Sequence, residues 1–354
     1  MGKKFKEEEA FDLIIVTGDL VVHGLASSDP ATENWEEMKE TIETIMSTLK
    51  EGYPETPILG AVGNNDVKFH YQAAEDADKA SYYGDLFEIW FTDVPANSEL
   101  EGLDDIESTF LQGGYYRYDF SEELAFLSIN SVILNTLNAA DLDEGATMLS
   151  WMETQFSSSP STKFVLFMHI FPGMIYATSL LEFWQEAFLE SYLDILDTYQ
   201  HQIIANLGSH IHSNEIRAPS SSTHPDVQLT QLATSALSPK DYNNPSYTVI
   251  DLSAEEGIQD VQWRSLLLYE FIVFRITVFN TIKPLKRFDI DLNEAGEIES
   301  LVEGLQGKLA EFTKYMGTKL GYPWLLTNLV AFFLDIFFRS KVQNLQLHYV
   351  CAMK

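Results

Sequence analysis

Five side chains able to hold a metal stand just beyond short apolar runs: Asp19, Asn64, His169, His210 and His212. Asp19 closes Thr17-Gly18-Asp19 after Phe11–Val16, and Asn64 sits in Gly63-Asn64-Asn65-Asp66 after Ile58–Val62. His169 follows Lys163–Met168, and His210-Ile211-His212 follows Gln202–Leu207. A lone Gly-Asp or Gly-Asn is ordinarily a tight turn, so the ordered set carries the argument rather than any member of it. One carboxylate can bridge two cations about 3.5–4 Å apart, the spacing suited to in-line attack on phosphorus. An amide oxygen and imidazoles add ligands without adding charge, which leaves the cations electrophilic. That donor set suits zinc, manganese or iron better than magnesium or calcium. On an extended His210-Ile211-His212 segment both imidazoles would point to one side, one for each metal.

The elements that must position these residues are legible as alternating strands and helices. Phe11–Val16 and Ile58–Val62 read as strands buried on both faces. Between them, Trp35, Met38, Ile42, Ile45, Met46 and Leu49 recur at helical spacing over Asn34–Lys50, with Thr32 as N-cap and Gly52-Tyr53-Pro54 as the stop. Strand, helix, strand implies a βαβ unit and a parallel or mixed sheet. Leu124–Ile129, Lys163–Met168, Gln202–Leu207, Gln228–Ala233 and Tyr247–Leu252 read as further strands, with an apolar helix over Leu180–Tyr199. Ligands at the carboxyl ends of such strands converge on one crevice, the usual site location in open α/β folds. The reading is an α/β sandwich over residues 1–252, with a helical, aromatic-rich C-terminal region over 253–354 packed on it.

The ordered motifs resemble those of the calcineurin-like metallophosphoesterases, and within them the acid-sphingomyelinase-like branch. Gly18-Asp19, Gly63-Asn64-Asn65-Asp66, His169 and His210-Ile211-His212 stand in the order of that family's Gly-Asp, Gly-Asn-His-Asp/Glu, His and Gly-His-x-His. His23, four residues after Asp19, and His169-Ile170-Phe171-Pro172-Gly173 match features of the branch. Asn244-Pro245-Ser246-Tyr247 resembles its strand entry. The resemblance spans roughly residues 11–252. It implies a four-layer αββα sandwich of mixed sheets and two divalent ions, zinc in the first instance, with manganese or iron as alternatives. It also implies that Asp19 bridges the metals, that Asn64, His169 and His210 complete the second, and that His212 binds the first. His23 would act as general acid toward the leaving group. The implied reaction is hydrolysis of a phosphodiester or related phosphoryl bond by a metal-bound hydroxide. Phospholipid or nucleotide-like esters are the implied substrates.

Three positions depart from the family pattern. Asp12-Leu13-Ile14 precedes Asp19 where an Asp-x-His would be expected, so the first metal keeps only Asp19 and His212. This favours an N-terminally incomplete chain, and it opens an alternative: a catalytically impaired relative acting as a binding or scaffold protein. Asn65 replaces the family's histidine; an amide hydrogen-bonds a phosphoryl oxygen but cannot shuttle a proton. Ser209 stands in place of the glycine before His210, with modest backbone strain expected there.

Composition narrows the partners. Fifty-three acidic against 22 basic residues give a formal charge of −31, which repels phosphate backbones and argues against nucleic-acid binding. A phosphoester substrate stays compatible because a bound dication reverses the local field. The single cysteine, Cys351, allows no internal disulfide and no cysteine-based zinc cluster. Met1–Phe11 has no apolar core of a signal peptide, and no Asn-x-Ser/Thr acceptor occurs. These features sit against the secreted or lysosomal location that the branch suggests. Leu266–Ile282 and Tyr322–Phe338 are interrupted by charged or polar residues and fall short of a membrane span. They read as buried or interfacial helices, which keeps peripheral membrane contact open.

Overall fold

A computed structural model describes residues 10–27, 29, 33–139, 142–175, 181–217, 223–240, 243–268, 279–293, 297–307, 314–316 and 318. The chain forms two compact units, Met1–Ile170 with Trp184–Phe188, and Phe171–Phe183 with Leu189–Lys354.

In the first unit, β1 (Ile14–Val16) pairs in parallel with β2 (Ile58–Gly60), in the register Ile14↔Ile58 and Val16↔Gly60. Their connection is α1 (Trp35–Gly52), which buries Trp35, Met38, Ile42 and Met46 along one stripe. This is the βαβ unit expected from the periodicity. Asn34 occupies the N-cap position, and Thr32 lies outside the described residues. β1 is half-buried rather than buried on both faces, because β2 is its single paired neighbour among the described residues.

α2 (Lys79–Phe87) runs into a π-helical turn at Glu88–Thr92, and α3 (Leu103–Gly113) follows. In α2 and the turn after it Tyr82, Tyr83, Leu86, Phe87, Ile89, Trp90 and Phe91 are all buried, so apolar residues wrap most of the circumference there, whereas α3 buries Ile106, Phe110 and Gly113 along one stripe. Phe110 of α3 lies within 6.0 Å, ring centre to ring centre, of Tyr83, Phe87, Trp90, Phe91 and Tyr116. Such edge and tilted contacts add to the area that burial removes from water. β3 (Tyr116–Asp119) is antiparallel to β4 (Leu124–Ile129), and β4 is parallel to β5 (Lys163–Met168) through α4 (Leu142–Ser158). β4 is buried throughout and β5 after its first residue, as continuous apolar runs require.

In the second unit, α5 (Glu186–Tyr199, entered from the first unit) precedes β6 (Ile203–Gly208). β7 (Glu215–Arg217) is antiparallel to β8 (Gln231–Ala233), and β8 is parallel to β6. The sheets are mixed and the fold is α/β, as read from the sequence. Beyond residue 252 the chain departs from the helical reading. β9 (Ser246–Ser253), β10 (Gly257–Leu266) and β11 (Phe279–Ile282) form an antiparallel meander before α6 (Pro284–Phe288) and α7 (Glu297–Gly307). In β10, Val261, Trp263 and Ser265 are buried while Asp260, Gln262 and Arg264 are less so. That is a two-residue period, which outweighs the bulk apolar content. Tyr322–Phe338 and Cys351 lie outside the described residues. Among the described residues no helix is long and apolar enough to cross a membrane.

The turn beyond β2 depends on how β2 is held. Asn97, fully buried, accepts from Ile58 N at 2.8 Å and donates to Ile58 O at 2.5 Å and Trp90 O at 2.7 Å. Replacing it by alanine strands those backbone groups without water. Asn97→Ala is therefore expected to cost about 2–4 kcal/mol, read as a lowered urea midpoint with an unchanged slope.

Candidate metal centre

β1 and β2 run parallel, so their carboxyl ends deliver two turns to one place. Gly18 (φ +84°) and Asp19 (φ 57°) take left-handed backbone, and Asp19 is thereby turned back over Gly63. A Cβ on Gly63 would collide with Asp19 N and Oδ1, so only glycine fits. The turn is locked by Asp66, wholly buried, whose carboxylate accepts from Asp19 N at 2.7 Å, Gly63 N at 3.0 Å and Val21 N at 3.1 Å. Burial pushes the Asp66 carboxyl up to about 6; the Asp19 charge adds to this, while His169 and the Gly63 and Val21 amides oppose it.

The Asp19 carboxylate accepts from Asn65 N (2.8 Å, to Oδ1) and from Asn65 Nδ2 (2.6 Å, to Oδ2). His169, directly after β5, places Nε2 3.2 Å from Asp19 Oδ2 and 2.9 Å from Asn64 Oδ1. Its Nδ1 donates to Thr17 O at 2.7 Å. This second bond fixes the tautomer: in a neutral imidazole the Nε2 lone pair faces two oxygen acceptors. A proton or a metal cation resolves that conflict. The ring's tendency to hold a proton agrees. Burial acts to lower it, but Asp19, the Thr17 carbonyl and Asp66 outweigh burial and raise it above the ordinary histidine value. Asn65 Oδ1 is a further buried acceptor with no hydrogen-bond partner among the described residues. The donor set therefore fits a divalent cation. His23 is exposed, with a ring nitrogen within 4.8 Å of an Asp19 carboxylate oxygen.

In the second unit, His210 and His212 follow β6, but not on an extended segment. Both adopt left-handed backbone, at φ 69° and 60°, with Ile211 N donating to Ser209 O at 2.8 Å. The strain expected at Ser209 thus falls on the two histidines, since Ser209 has no positive φ. Positive φ is uncommon away from glycine, though Asp and His are among the types that tolerate it. His212 O accepts from Ser235 Oγ at 3.0 Å and Ala236 N at 3.3 Å, which anchors the turn. The His210 ring stands edge-on to Phe183, 5.2 Å between centres. The structure thus brings Asp19, Asn64, Asn65 and His169 together in the first unit with His23 alongside, and places His210 and His212 on one turn of the second.

The Calcineurin-like phosphoesterase profile matches residues 1–215, more than half of the chain. The chain belongs to the calcineurin-like phosphoesterases. Sphingomyelinase phosphodiesterase D of Dictyostelium discoideum is 26% identical over 244 residues, covering 67% of this chain and 51% of that protein. Endopolyphosphatase of Schizosaccharomyces pombe is 28% identical over 214 residues, covering 57% of this chain and 34% of that protein. Acid sphingomyelinase-like phosphodiesterase 3b of Homo sapiens is 22% identical over 185 residues, covering 50% and 38%. The chain spans about half or less of the length of these relatives.

Within this calcineurin-like domain, Asp66, His70 and Tyr71 had no role in the sequence reading. Asp66 carried a signal, as the last residue of the Gly-Asn-x-Asp motif. His70 and Tyr71 carried none, because what places them, the backbone bonds to Ser27 O and Asn64 O and the left-handed φ at Tyr71, is not encoded in residue type. Asp66→Asn retains the shape but turns an amide toward backbone donors. A loss of about 2–4 kcal/mol is expected, measured by chemical denaturation in the presence of chelator.

Proposed function

We propose that this chain is a metal-dependent hydrolase of a phosphodiester or related phosphoryl bond, similar in activity to the sphingomyelinase-like phosphodiesterases. Asp19, Asn64, His169, His210 and His212 would hold two divalent cations, zinc first among them. The supporting observation is His169 Nε2 directed at Asn64 Oδ1 and Asp19 Oδ2 while Nδ1 is committed to Thr17 O. Three acceptor atoms face one another, and a cation satisfies all of them.

Cations bound there supply Lewis acidity and lower the pKa of water toward neutrality. The chain's own groups do the rest. Asn65, anchored to both Asp19 oxygens, retains a second amide hydrogen to offer a phosphoryl oxygen. His23, exposed beside Asp19, delivers a proton to the departing oxygen. A phospholipid or nucleotide-like ester is the proposed substrate class. Sphingomyelin is the first choice, given the names of two relatives.

Metal content and turnover test this together. The purified protein is expected to hold close to two dications per chain and to hydrolyse bis(p-nitrophenyl) phosphate, with loss in chelator and recovery on adding Zn²⁺ or Mn²⁺. His23→Gln should lower kcat about 10²–10⁴-fold with metal content unchanged. Asp19→Asn should lose both metal and turnover. One cation or none, with no turnover, would instead support the binding or scaffold role.

A further inference from the structure

We propose that His70 is a positioning residue that fixes the side-chain amide of Asn64 with its oxygen turned toward His169 and the cation site. Asn64 Nδ2 lies 3.2 Å from His70 Nε2, while Asn64 Oδ1 lies 2.9 Å from His169 Nε2. An amide has no charge to orient it, and its oxygen and nitrogen ends are nearly the same shape. Left alone, it could present its NH₂ to the cation, where it binds nothing. His70 Nε2, as an acceptor, can pair only with the NH₂ end. The His70 proton therefore sits on Nδ1, and the Asn64 oxygen is left pointing at the site. Outer partners of this kind orient metal ligands and matter nearly as much as the ligands.

The backbone is built to hold His70 in that place. His70 N donates to Ser27 O at 3.0 Å, and Tyr71 N returns to Asn64 O at 3.2 Å, closing the loop on the residue whose amide is being steered. Tyr71 takes left-handed backbone, φ 65°, which is an outlier for a bulky side chain. Gln72 N bonds Phe69 O at 2.7 Å, so the strained residue is enclosed by a tight turn. The Tyr71 ring packs 4.4 Å from that of His70, and its phenol is pushed up to about 12 by burial and the Asp19 charge. Strain of this sort persists where the surroundings over-determine it, and it clusters at functional sites.

This inference rests on Asn64 being a metal ligand, so the test reads metal binding directly. Affinity for Co²⁺ is measured by competition with a chromophoric chelator, together with the visible spectrum of the Co²⁺ protein. His70→Phe keeps a ring against Tyr71 but removes the acceptor. It should weaken binding about 10–100-fold and alter the spectrum. His70→Gln offers an acceptor oxygen to the same NH₂, so it should bind within threefold of the parent with the parental spectrum. The double variant Asn64→Asp/His70→Phe should regain affinity, because a carboxylate has an oxygen at each end and needs no orienting partner. His70→Phe binding as tightly as the parent, with the same spectrum, would overturn the role of His70 alone. A parent protein that binds no Co²⁺ would overturn both this role and the metal-site reading. If His70→Phe fails to fold, His70→Gln decides: a loss beyond tenfold refutes the proposal.

Discussion

One buried carboxylate holds the turn on which the site is assembled. Asp66 accepts hydrogen bonds from Asp19, Val21 and Gly63, and so ties the chain after β1 to the chain after β2. Those three amides have no partner in the β1–β2 ladder, and burying them unpaired would cost about 1–3 kcal/mol each. A carboxylate offers enough lone pairs for all three. The lock also sets the left-handed backbone at Gly18 and Asp19, which in turn carries the Asp19 carboxylate back over Gly63 and onto Asn65. The Asp19 carboxylate is therefore placed by hydrogen bonds made within the first unit.

That arrangement concentrates negative charge in a buried place. Asp19 and Asp66 are neighbours, and the Asp19 charge disfavours ionisation of Asp66. Asn65, His169 and three backbone amides offset part of that repulsion, and the upward shift at His169 shows that the cluster still attracts positive charge. A protonated imidazole supplies one charge at most. A divalent cation supplies two, along the same lines of approach. The overall −31 charge makes the point more general. An anionic ester would meet net repulsion from a chain so charged, and bound dications would reverse that field locally.

How far the sequence spoke depended on what kind of information a residue carries. β4 and β5 were plain because short, nearly continuous apolar runs have few other readings. α1 was plain because Trp35, Met38, Ile42 and Met46 keep strict helical spacing. α2 was silent because it and the turn after it bury apolar residues nearly all round, the short stripe Ile106, Phe110 and Gly113 left α3 unread, and β10 was misread because aromatic bulk masked a two-residue alternation. At the site, Asp19, Asn64 and His169 could be found, since each stands just past a strand and has a side chain with obvious chemistry. Backbone conformation was hidden. Nothing in His210-Ile211-His212 announces two left-handed residues, and nothing in Tyr71 announces φ 65°. These angles are set by distant hydrogen bonds, such as those from Ser235 and Ala236 to His212 O, which local composition does not encode.

The amide at position 65 divides the chemistry in a definite way. Its backbone N–H and one side-chain hydrogen are both spent on Asp19, and its Oδ1 is buried with no partner among the described residues. The side chain is thus a fixed brace for the Asp19 carboxylate. It can offer one remaining hydrogen to a substrate oxygen, but it can neither give up a proton nor take one near neutral pH. In the function proposed above, Asn65 holds Asp19, and proton transfer falls to another residue close to the same carboxylate. His23 is exposed and close to the same carboxylate, which is what supports the general-acid role proposed for it.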